Sequence, residues 1–335
     1  VRRVAGEVEG PIFCSLARAN EEDIRTAYGA LQSTANRRIH IFLSTSPIHR
    51  AAKLNMSADE VLNAAVRAVT YARTLFDDVE FSAEDAIRTE RDFLGDVMEA
   101  VADAGATTLN IPDTVGYSTP DEIGGIFAEI KSRVARHPDV VLSAHCHNDL
   151  GMAVANTLSA VANGARQVEV AINGIGERAG NCALEEVVMA LRTRGDRYGV
   201  HTGVQSTKLL ETSRLLSALT HSPVTRNKAI VGVNAFAHEA GIHQHGMIAD
   251  ARTYEIMRPE DVGFSGTRLV LGKHSGRHAI VQRAEALGYT LSGNEVGEVF
   301  AGFKRRADEI GEIDDGELVA IIVAATEQGE VRVAQ

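Results

Sequence analysis

Apolar runs of strand length alternate with helical patterns along the first two hundred residues. Six strand candidates rich in apolar residues recur in order: Pro11–Leu16, Arg38–Leu43, Asp78–Phe81, Thr107–Ile111, Val140–Ala144 and Gln167–Ile172. Helix-start signals lie between them, including Asn20, the capping-box pattern Ser57–Glu60, and Thr119–Glu122 with proline at the first helical position. Repeated strand–helix units predict a parallel sheet with right-handed crossovers.

The polar residues that follow these strands distinguish between two parallel folds. An open doubly wound sheet and a closed eight-stranded barrel both fit the alternation, but only a barrel brings all strand ends to one mouth. Reactive residue types follow strand after strand: Ser44–Ser46, Ser82–Glu84, Asp113–Thr114, His145–His147 and Asn173–Asn181. This favours an α/β fold with a TIM (β/α)8 barrel. Because six strands are visible and the chain begins abruptly at Val1, we expect the first two strands to precede residue 1.

The strand rhythm stops after about residue 200. A helical pattern at Gln205–Leu219 is followed by loop, by a histidine-rich stretch at Asn234–Gly246 and by two helices at about Arg277–Leu287 and Asn294–Ile310. We therefore expect a partial catalytic barrel domain at residues 1–200 and a mainly helical appendage at residues 201–335, without a second barrel.

Composition narrows the classes of protein and partner. The 335-residue chain has a formal net charge of -11 and no basic stripe that could replace phosphate counterions, which argues against a nucleic-acid partner. It has no apolar run of membrane-spanning length and no signal-peptide pattern, so we expect no membrane association. Three cysteines, odd in number and unclustered, argue against a disulfide framework and favour the reducing cytoplasm.

The stretch from Val140 to Gly151 contains the clearest candidate chemistry. Alternate side chains of a strand share a face, so His145 and His147 are expected to point the same way, with Cys146 opposite. Two imidazoles with one direction at a strand's carboxyl end suit a divalent metal. An isolated His-x-His would more often be one histidine in a local hydrogen bond and one in solvent. The polar strand ends around this pair favour the metal.

Longer stretches resemble one group of enzymes. Three motifs are similar to the barrel signatures of metal-dependent, Claisen-condensing acyl-CoA enzymes: Asn110-Ile-Pro-Asp-Thr-Val-Gly-Tyr117, His145-Cys-His-Asn-Asp-Leu-Gly151 and Asn173-Gly-Ile-Gly-Glu-Arg-Ala-Gly-Asn181. Within that superfamily, three later stretches resemble the 2-isopropylmalate synthase family: His238–Gln244, Tyr254–Gly263 and Leu271–Arg277. Homocitrate and citramalate synthases fit these later stretches less well. The resemblance runs from about residue 10 to residue 315.

The resemblance implies an acyltransferase that condenses acetyl-CoA with 2-oxoisovalerate and water, giving 2-isopropylmalate and CoA in leucine biosynthesis. It implies a divalent metal held by His145, His147 and Asn181, with Mn²⁺ first, Mg²⁺, Zn²⁺ or Co²⁺ as alternatives, and K⁺ as a further candidate. Taken alone, the glycine-rich neighbours of Asn181 would predict only a turn. The family's fourth ligand, an aspartate on the first strand, and an arginine near it have no counterpart in this sequence.

Two departures from the family pattern follow from the sequence. His245 stands where the family usually has an acid. The family's leucine-sensing domain would begin after about residue 330, so we expect no leucine feedback from these residues.

The resemblance also implies roles for residues at the strand ends. Glu84 is expected to line the pocket as a catalytic group, although it could be solvated in a loop. Ser82 and Thr114 are expected to donate hydrogen bonds to the oxoacid carboxylate, against ordinary roles in turns. His40 begins inside a strand, so substrate contact and a satisfied core histidine are equally open.

His243 and Tyr254 match family positions that are catalytic, and both belong to the appendage. The resemblance implies a homodimer in which the appendage is swapped and reaches the partner's barrel mouth. A histidine–tyrosine pair there could move protons during condensation or assist thioester hydrolysis. The alternative is an exposed pair in a linker.

Other functions remain open on the sequence alone. Citramalate or homocitrate synthesis, from pyruvate or 2-oxoglutarate, is an alternative within the same class. A catalytically silent metal-binding paralogue or regulatory subunit is an alternative of a different class.

Overall fold

The computed structural model of the protein describes residues 1–238, 246–247, 250–266 and 268–326. The chain forms two compact units, Val1–His201 and Thr202–Gln335. Each unit is described by itself below.

Six parallel strands form the sheet of the first unit: β1 (Phe13–Arg18), β2 (Arg37–Ser44), β3 (Val79–Glu84), β4 (Thr108–Asp113), β5 (Val141–Cys146) and β6 (Gln167–Glu169). They are hydrogen-bonded in chain order from β1 to β6. A doubly wound sheet reverses its strand order at a switch point, and the described strands contain no reversal. The barrel prediction is therefore confirmed over these six strands, and all their carboxyl ends lie at one edge.

Helices precede, connect and follow these strands. They are α1 (Arg2–Glu7), α2 (Glu21–Leu31), α3 (Pro47–His49), α4 (Ala58–Arg73), α5 (Arg91–Asp103), α6 (Pro120–Arg133), α7 (Ala153–Ala162), α8 (Leu184–Thr193) and α9 (Gly195–Tyr198). A π-helical turn at Arg50–Leu54 follows α3, and 3₁₀ turns lie at Ala86–Arg88 and Ile172–Gly174. The helix α1 was not anticipated, because the sequence analysis began with the first strand.

The predicted helix starts are confirmed by their side-chain hydrogen bonds. Asn20 Oδ1 accepts from the backbone N–H of Asp23 at 2.9 Å. Ser57 forms a capping box at the start of α4, and Thr119 forms one at the start of α6. Each such cap stabilises its helix by roughly 0.5–2 kcal/mol.

The two faces of the sheet differ in polarity. The face toward the helices is apolar and fully buried, with Ile39, Ile41, Val79, Phe81, Leu109 and Ile111. The register places polar side chains together on the other face: Arg38, His40, Glu80, Ser82, Asn110, Ser143, His145, Gln167 and Glu169. The apolar face supplies the core, with roughly 1.5–3 kcal/mol for each large side chain buried. The candidate functional side chains of these strands therefore lie on the polar face.

The second unit is mainly helical over its described residues, as predicted. It contains α10 (Leu209–Thr220), α11 (Arg277–Ala286), α12 (Gly293–Ile310) and α13 (Asp315–Thr326). Its short strands pair as β7 (Ala237–His238) with β8 (Arg268–Leu269) and β9 (Leu271–Gly272) with β10 (Glu312–Ile313), and 3₁₀ turns lie at Ser206–Lys208, Ala251–Thr253 and Pro259–Val262.

The last helix, α13, corrects the sequence analysis, which ended its elements at Ile310. Residues 318–325 of α13 are almost all apolar, so a 3.6-residue alternation is not visible there. Leu318 and Ile322 are fully buried in a cluster with Phe303, which explains why the segment is helical despite its uniform composition. Among the described residues, no helix has the length and apolarity needed to cross a membrane.

Candidate metal centre

His145 and His147 meet at the carboxyl end of β5. Their Nε2 atoms lie 2.9 Å apart, and the two rings meet edge to face with centroids 4.9 Å apart. Cys146 between them is fully buried on the opposite face. The predicted shared direction of the two imidazoles is therefore confirmed as geometry, while their role as ligands stays a prediction.

Asn181 lies directly beside this pair. A β-bridge joins His147 to Asn181, and Cys182 N donates to Cys146 O at 2.9 Å. The Nδ2 of Asn181 donates to Ile175 O at 3.1 Å, which leaves the carboxamide oxygen as the remaining polar atom. That buried Oδ1 has no hydrogen-bond partner among the described residues. A buried oxygen without a hydrogen-bond partner, on a residue bridged to His147, makes Asn181 a candidate ligand.

The loop that carries Asn181 depends on three glycines. A Cβ on Gly176 would lie 2.4 Å from Asn181 Nδ2, and one on Gly180 would lie 2.2 Å from the carbonyl oxygen of Gly174. Gly174 and Gly180 also have φ values of +66° and +95°, a backbone region that disfavours side chains. The glycines of this motif therefore let the loop fold back so that Asn181 reaches His147.

Two carboxylates support the imidazoles, one through direct contact with His145 and one through an arginine that contacts His147. Glu169 Oε2 lies 2.9 Å from His145 Nδ1, and Asp149 binds Arg178 through two contacts of 2.8 and 2.9 Å. Arg178 Nη2 in turn lies 3.0 Å from His147 Nδ1. Each histidine thus has its Nδ1 atom within 3.0 Å of a charged side chain, and the two Nε2 atoms face each other.

The neighbours of the two rings favour particular proton positions. Glu169 only accepts, so its 2.9 Å contact favours a hydrogen on His145 Nδ1. Arg178 only donates, so His147 accepts at Nδ1 and carries its hydrogen on Nε2, which donates to His145 Nε2. For both rings to bind one ion through Nε2, His147 must move its hydrogen to Nδ1, and Arg178 must release that atom.

The donor set fits a divalent metal after that change. Two imidazole nitrogens and a carboxamide oxygen are ligands that Mn²⁺, Zn²⁺ or Co²⁺ accept. Burial, with a smaller effect from the neighbouring His145, lowers the pKa of His147, which favours the neutral ring that a metal needs. His145, His147 and Asn181 are therefore brought together as the sequence analysis expected.

His40 and Ser82 lie on the same polar face. Ser82 Oγ is 2.5 Å from His40 Nε2 and accepts from Asn110 Nδ2 at 2.7 Å. His40 Nδ1 lies 3.4 Å from Glu169 Oε1, so one carboxylate contacts both His40 and His145. Burial lowers the pKa of His40, which keeps the ring neutral near pH 7. The Ser82 hydroxyl is occupied by its neighbours in this arrangement.

Glu84 and Thr114 mark the ends of β3 and β4. Both Glu84 carboxylate oxygens lie 2.8 Å from Lys53 Nζ, and Ser44 Oγ also donates to this carboxylate. Thr114 Oγ1 accepts from the backbone N–H of Asp85 at 2.9 Å. The carbonyl oxygen of Thr114 accepts from Arg178, which links this strand end to the histidine pair.

A buried acid network lies deeper on the polar face. Arg38 Nη1 lies 3.3 Å from Glu80 Oε2, and Gln167 Nε2 donates to Glu80 Oε1 at 2.7 Å. Burial and the neighbouring Glu169 carboxylate raise the pKa of Glu80 to about 8, against the opposing effect of Arg38. Burial alone would also raise the pKa of Glu169, but the contacts with His145 and His40 outweigh it and lower that pKa.

A second set of donor atoms lies near this network. Donor atoms of Cys14, His40 and Glu80 lie within 4.8 Å of one another, at a cavity of about 580 Å³. Desolvation of the sulfur, followed by the nearby Glu80 carboxylate, raises the pKa of the Cys14 thiol to about 12. Metals bind the thiolate, so this cluster is a weaker candidate than the histidine pair.

The predicted residues of the second unit are only partly described. His243 lies outside the described residues. Tyr254 is 45% exposed, and its ring centroid lies 6.3 Å from that of His238. A cavity of about 820 Å³ in this unit contains neither Tyr254 nor His238 in its lining.

Glu169, Arg178 and Lys53 were missed by the sequence analysis. The alternation of Gln167 and Glu169 around Val168 shows that they share a strand face. It does not show that the register sets Glu169 opposite His145. Arg178 lay inside a motif that was recognised, but nothing local assigned its partner.

Comparison with known proteins shows the family of the chain. The HMGL-like family model matches residues 1–216, and the model described as homocitrate synthase post-HMGL domain-like matches residues 230–310. The 2-isopropylmalate synthases of Rhodopirellula baltica and Brevibacillus brevis are each 56% identical over 322 residues, which is 96% of this chain. That of Aquifex aeolicus is 54% identical over 323 residues. The chain spans 61%, 63% and 62% of the lengths of these three relatives.

Solved structures support the fold alone. The hydroxymethylglutaryl-CoA lyase of Pseudomonas aeruginosa has a TM-score of 0.56 and 20% identity, covering 65% of this chain and 74% of that one. The HMG-CoA lyase of Brucella melitensis has a TM-score of 0.53 and 19% identity, covering 66% and 79%. With a parallel sheet in barrel order and a family match over residues 1–216, the chain belongs to the HMGL-like family.

Proposed function

We propose that this chain forms the catalytic part of a 2-isopropylmalate synthase. The reaction joins acetyl-CoA, 2-oxoisovalerate and water to give 2-isopropylmalate and free CoA, the committed step of leucine biosynthesis. The observation that carries this proposal is the identity of 54–56% to named 2-isopropylmalate synthases across 96% of the chain. The clustering of His145, His147 and Asn181 at one strand edge gives it a physical basis.

We propose that these three residues hold a divalent ion, with Mn²⁺ as the first choice. When bound, the metal would supply Lewis acidity and a template for the carboxylate and carbonyl oxygens of the oxoacid. The protein's part is to present neutral nitrogen donors and one carboxamide oxygen in a fixed arrangement. We propose K⁺ as an additional ion. Replacing K⁺ with Na⁺ in an assay of CoA thiol release tests this proposal.

We propose further roles for the side chains around the three candidate ligands. We propose that Glu84, which ends β3 and contacts Lys53 and Ser44, is a catalytic group. His40 presents its ring from the same face as His145, where it can contact the substrate. Thr114 lies at the end of β4. Because the Ser82 hydroxyl is engaged with His40 and Asn110, we propose that Ser82 supports the substrate site through His40.

The condensation also needs a base for the weakly acidic methyl group of the thioester and an acid for the developing alkoxide. We propose that His243 and Tyr254 of the appendage, residues 201–335, supply part of this proton transfer. This assignment requires a homodimer in which the appendage of one subunit completes the barrel, residues 1–200, of its partner. We propose that this homodimer is cytoplasmic.

The experiment that tests the function measures thiol release. The complete gene product is incubated with acetyl-CoA, 2-oxoisovalerate and Mn²⁺, and free CoA is detected with a thiol reagent. We expect release that depends on both substrates and on the metal, with 2-oxoisovalerate preferred over pyruvate and 2-oxoglutarate. Preference for pyruvate or 2-oxoglutarate would assign citramalate or homocitrate synthesis instead. No release with any of the three oxoacids would overturn the enzyme proposal.

The matched variants compare histidines in different surroundings. His145→Ala removes a proposed ligand and is expected to reduce thiol release at least a hundredfold, toward background. His201→Ala changes an exposed histidine and is expected to leave the rate within twofold of wild type. Equal rates for the two variants would contradict the proposed role of His145.

A further inference from the structure

We propose that Glu169 is a positioning residue that fixes the tautomers of His145 and His40 together. The proposal rests on the proposed function only for the identity of the metal and the substrate. In the inferred role, this one carboxylate determines which nitrogen His145 turns to the metal and which nitrogen His40 turns to the substrate.

The strand register places Glu169 for this role. Glu169 ends β6, and its Cα partner across the parallel pair is His145 on β5. Register partners on neighbouring parallel strands point to the same face, so the carboxylate and the imidazole are side by side. The reach to His40 on β2 crosses the polar face of the sheet, because β3, β4 and β5 lie between β2 and β6.

The contacts with the two rings use both carboxylate oxygens. Oε2 lies 2.9 Å from His145 Nδ1, and Oε1 lies 3.4 Å from His40 Nδ1. A carboxylate offers only acceptors, so the proposed role requires a protonated Nδ1 on each ring. Each ring then presents Nε2 as a lone pair on its opposite side.

The partners on the far sides of the rings agree with this assignment. Asn110 Nδ2 donates to Ser82 Oγ, so the Ser82 hydroxyl is free to donate to His40 Nε2. On the other ring, His145 Nε2 faces His147 Nε2 at 2.9 Å, where a metal ligand is expected. Hydrogen bonds thus run from Asn110 through Ser82 to His40, and the Nδ1 of His40 lies 3.4 Å from Glu169 Oε1.

The consequence is a coupling of two functions through one side chain. Metal-bound histidines commonly donate their other ring N–H to a carboxylate, and loss of that partner weakens metal affinity about 10–100-fold. Here the same carboxylate also orients a second ring that can face the oxoacid. A change at Glu169 should therefore alter metal affinity and the orientation of His40 at once.

The test uses Glu169→Leu, which removes both acceptors, with Gln167→Leu as the matched control. Gln167 lies two residues earlier on the same strand face and contacts Glu80, Arg38 and Ser143 rather than either imidazole. Neutron diffraction from deuterated crystals of the metal-free protein shows which ring nitrogens carry deuterium. We expect Nδ1 of His145 and of His40 to be deuterated in wild type and in the control.

In Glu169→Leu we expect at least one of the two rings to lose deuterium from Nδ1. Titration with Mn²⁺ alone, followed by the electron paramagnetic resonance of the free ion, should show affinity reduced about 10–100-fold. The control should stay within twofold of wild type. Glu169→Asp keeps the charge with a shorter reach, and its affinity should lie between wild type and Glu169→Leu.

Unchanged deuteration of both rings in Glu169→Leu, or Mn²⁺ affinity within twofold of wild type, would overturn the proposal. If Glu169→Leu does not fold, Glu169→Gln decides in its place. Its amide has one carbonyl oxygen, so at least one ring must lose its acceptor. Thiol release separates this result from the proposed function. The expected tautomers and affinity loss without condensation would leave the role of Glu169 intact and remove the enzyme assignment.

Discussion

At the scale of single residues, the polar face combines acids that behave differently. Glu80 and Glu169 are neighbours on that face. The burial of Glu80 raises its pKa to about 8, while His145 and His40 outweigh burial at Glu169 and lower its pKa. One carboxyl group of the pair is therefore protonated near neutral pH and the other is charged. The charged one, Glu169, lies 2.9 Å from His145 Nδ1.

The raised pKa of Glu80 predicts how stability depends on pH. The unfolded chain releases this proton near its ordinary pKa of 4.5, whereas the folded protein keeps it to about pH 8. The unfolded state then binds fewer protons, so the contribution of Glu80 to the free energy of unfolding falls as pH rises from 4.5 to 8. The slope is at most about 1.4 kcal/mol per pH unit. It levels off above pH 8.

Urea unfolding at pH 5 and pH 8, followed by circular dichroism, measures this effect. Glu80→Gln should gain stability relative to wild type as the pH rises, by at least about 1 kcal/mol between the two values. The control Glu129→Gln changes a half-exposed glutamate on α6 and should follow the wild-type pH dependence. Parallel curves for Glu80→Gln and wild type would contradict the raised pKa.

The residue-level predictions from sequence succeeded where the information was local. The side-chain alternation of one strand was enough to set His145 and His147 on one face. The carboxylate behind His145 and the guanidinium behind His147 depend on strand register and on a folded loop, which no short pattern encodes. Supporting residues such as Glu169 and Arg178 were therefore missed, although they lie 2.9 and 3.0 Å from the histidines.

At the scale of elements, the loop from Asn173 to Asn181 does the most to build the site. It leaves β6, turns through three glycines and returns a carboxamide to the end of β5. The N–H of Asn181 donates to Gly174 O at 2.9 Å, so the loop closes on itself before it meets His147. Any side chain that displaces Gly174 O should also displace the candidate ligand.

Gly180→Ala tests this geometry against Gly199→Ala. Both positions have positive φ, at +95° and +62°, so each substitution should destabilise the fold, by roughly 1–2 kcal/mol of backbone strain. Only at Gly180 would the new Cβ meet backbone, 2.2 Å from Gly174 O, whereas the space at Gly199 is open within 4 Å. We expect Mn²⁺ affinity to fall about tenfold or more for Gly180→Ala alone. Equal affinities in calorimetric titration would contradict the loop's role.

The elements themselves were largely predictable. All six strands and the capped starts of α2, α4 and α6 follow from apolar runs and side-chain caps. The observed strand ends differ from the predicted ones by a few residues. This is because hydrogen bonding to a neighbouring strand, rather than composition, determines where a strand ends. The helices α1 and α13 were missed, the latter because an almost uniformly apolar stretch has no visible period.

At the scale of the whole molecule, a barrel sheet is joined to a mainly helical unit. The order of the strands, rather than their number, separates a barrel from a doubly wound sheet, and the sequence could favour the barrel only through its clustered polar strand ends. The assignment of residues 1–200 as a catalytic barrel domain and of residues 201–335 as an appendage stays a prediction.

The proposed swapped dimer predicts complementation between inactive variants. His145→Ala disables the barrel and His243→Ala disables the appendage, so each homodimer should be nearly inactive. Random exchange makes half the dimers mixed, and one of the two sites in each is intact, giving about a quarter of wild-type thiol release. Mixtures no more active than the separate variants, with exchange shown by mass spectrometry, would contradict the swap.

The most direct measurement locates the metal. Crystals of the complete gene product loaded with Mn²⁺ give an anomalous difference map in which the ion is the strongest peak. The account predicts one peak within about 2.0–2.3 Å of His145 Nε2, His147 Nε2 and Asn181 Oδ1, with Arg178 withdrawn from His147 Nδ1. A peak at Cys14, His40 and Glu80 instead, with none at the histidine pair, would contradict it.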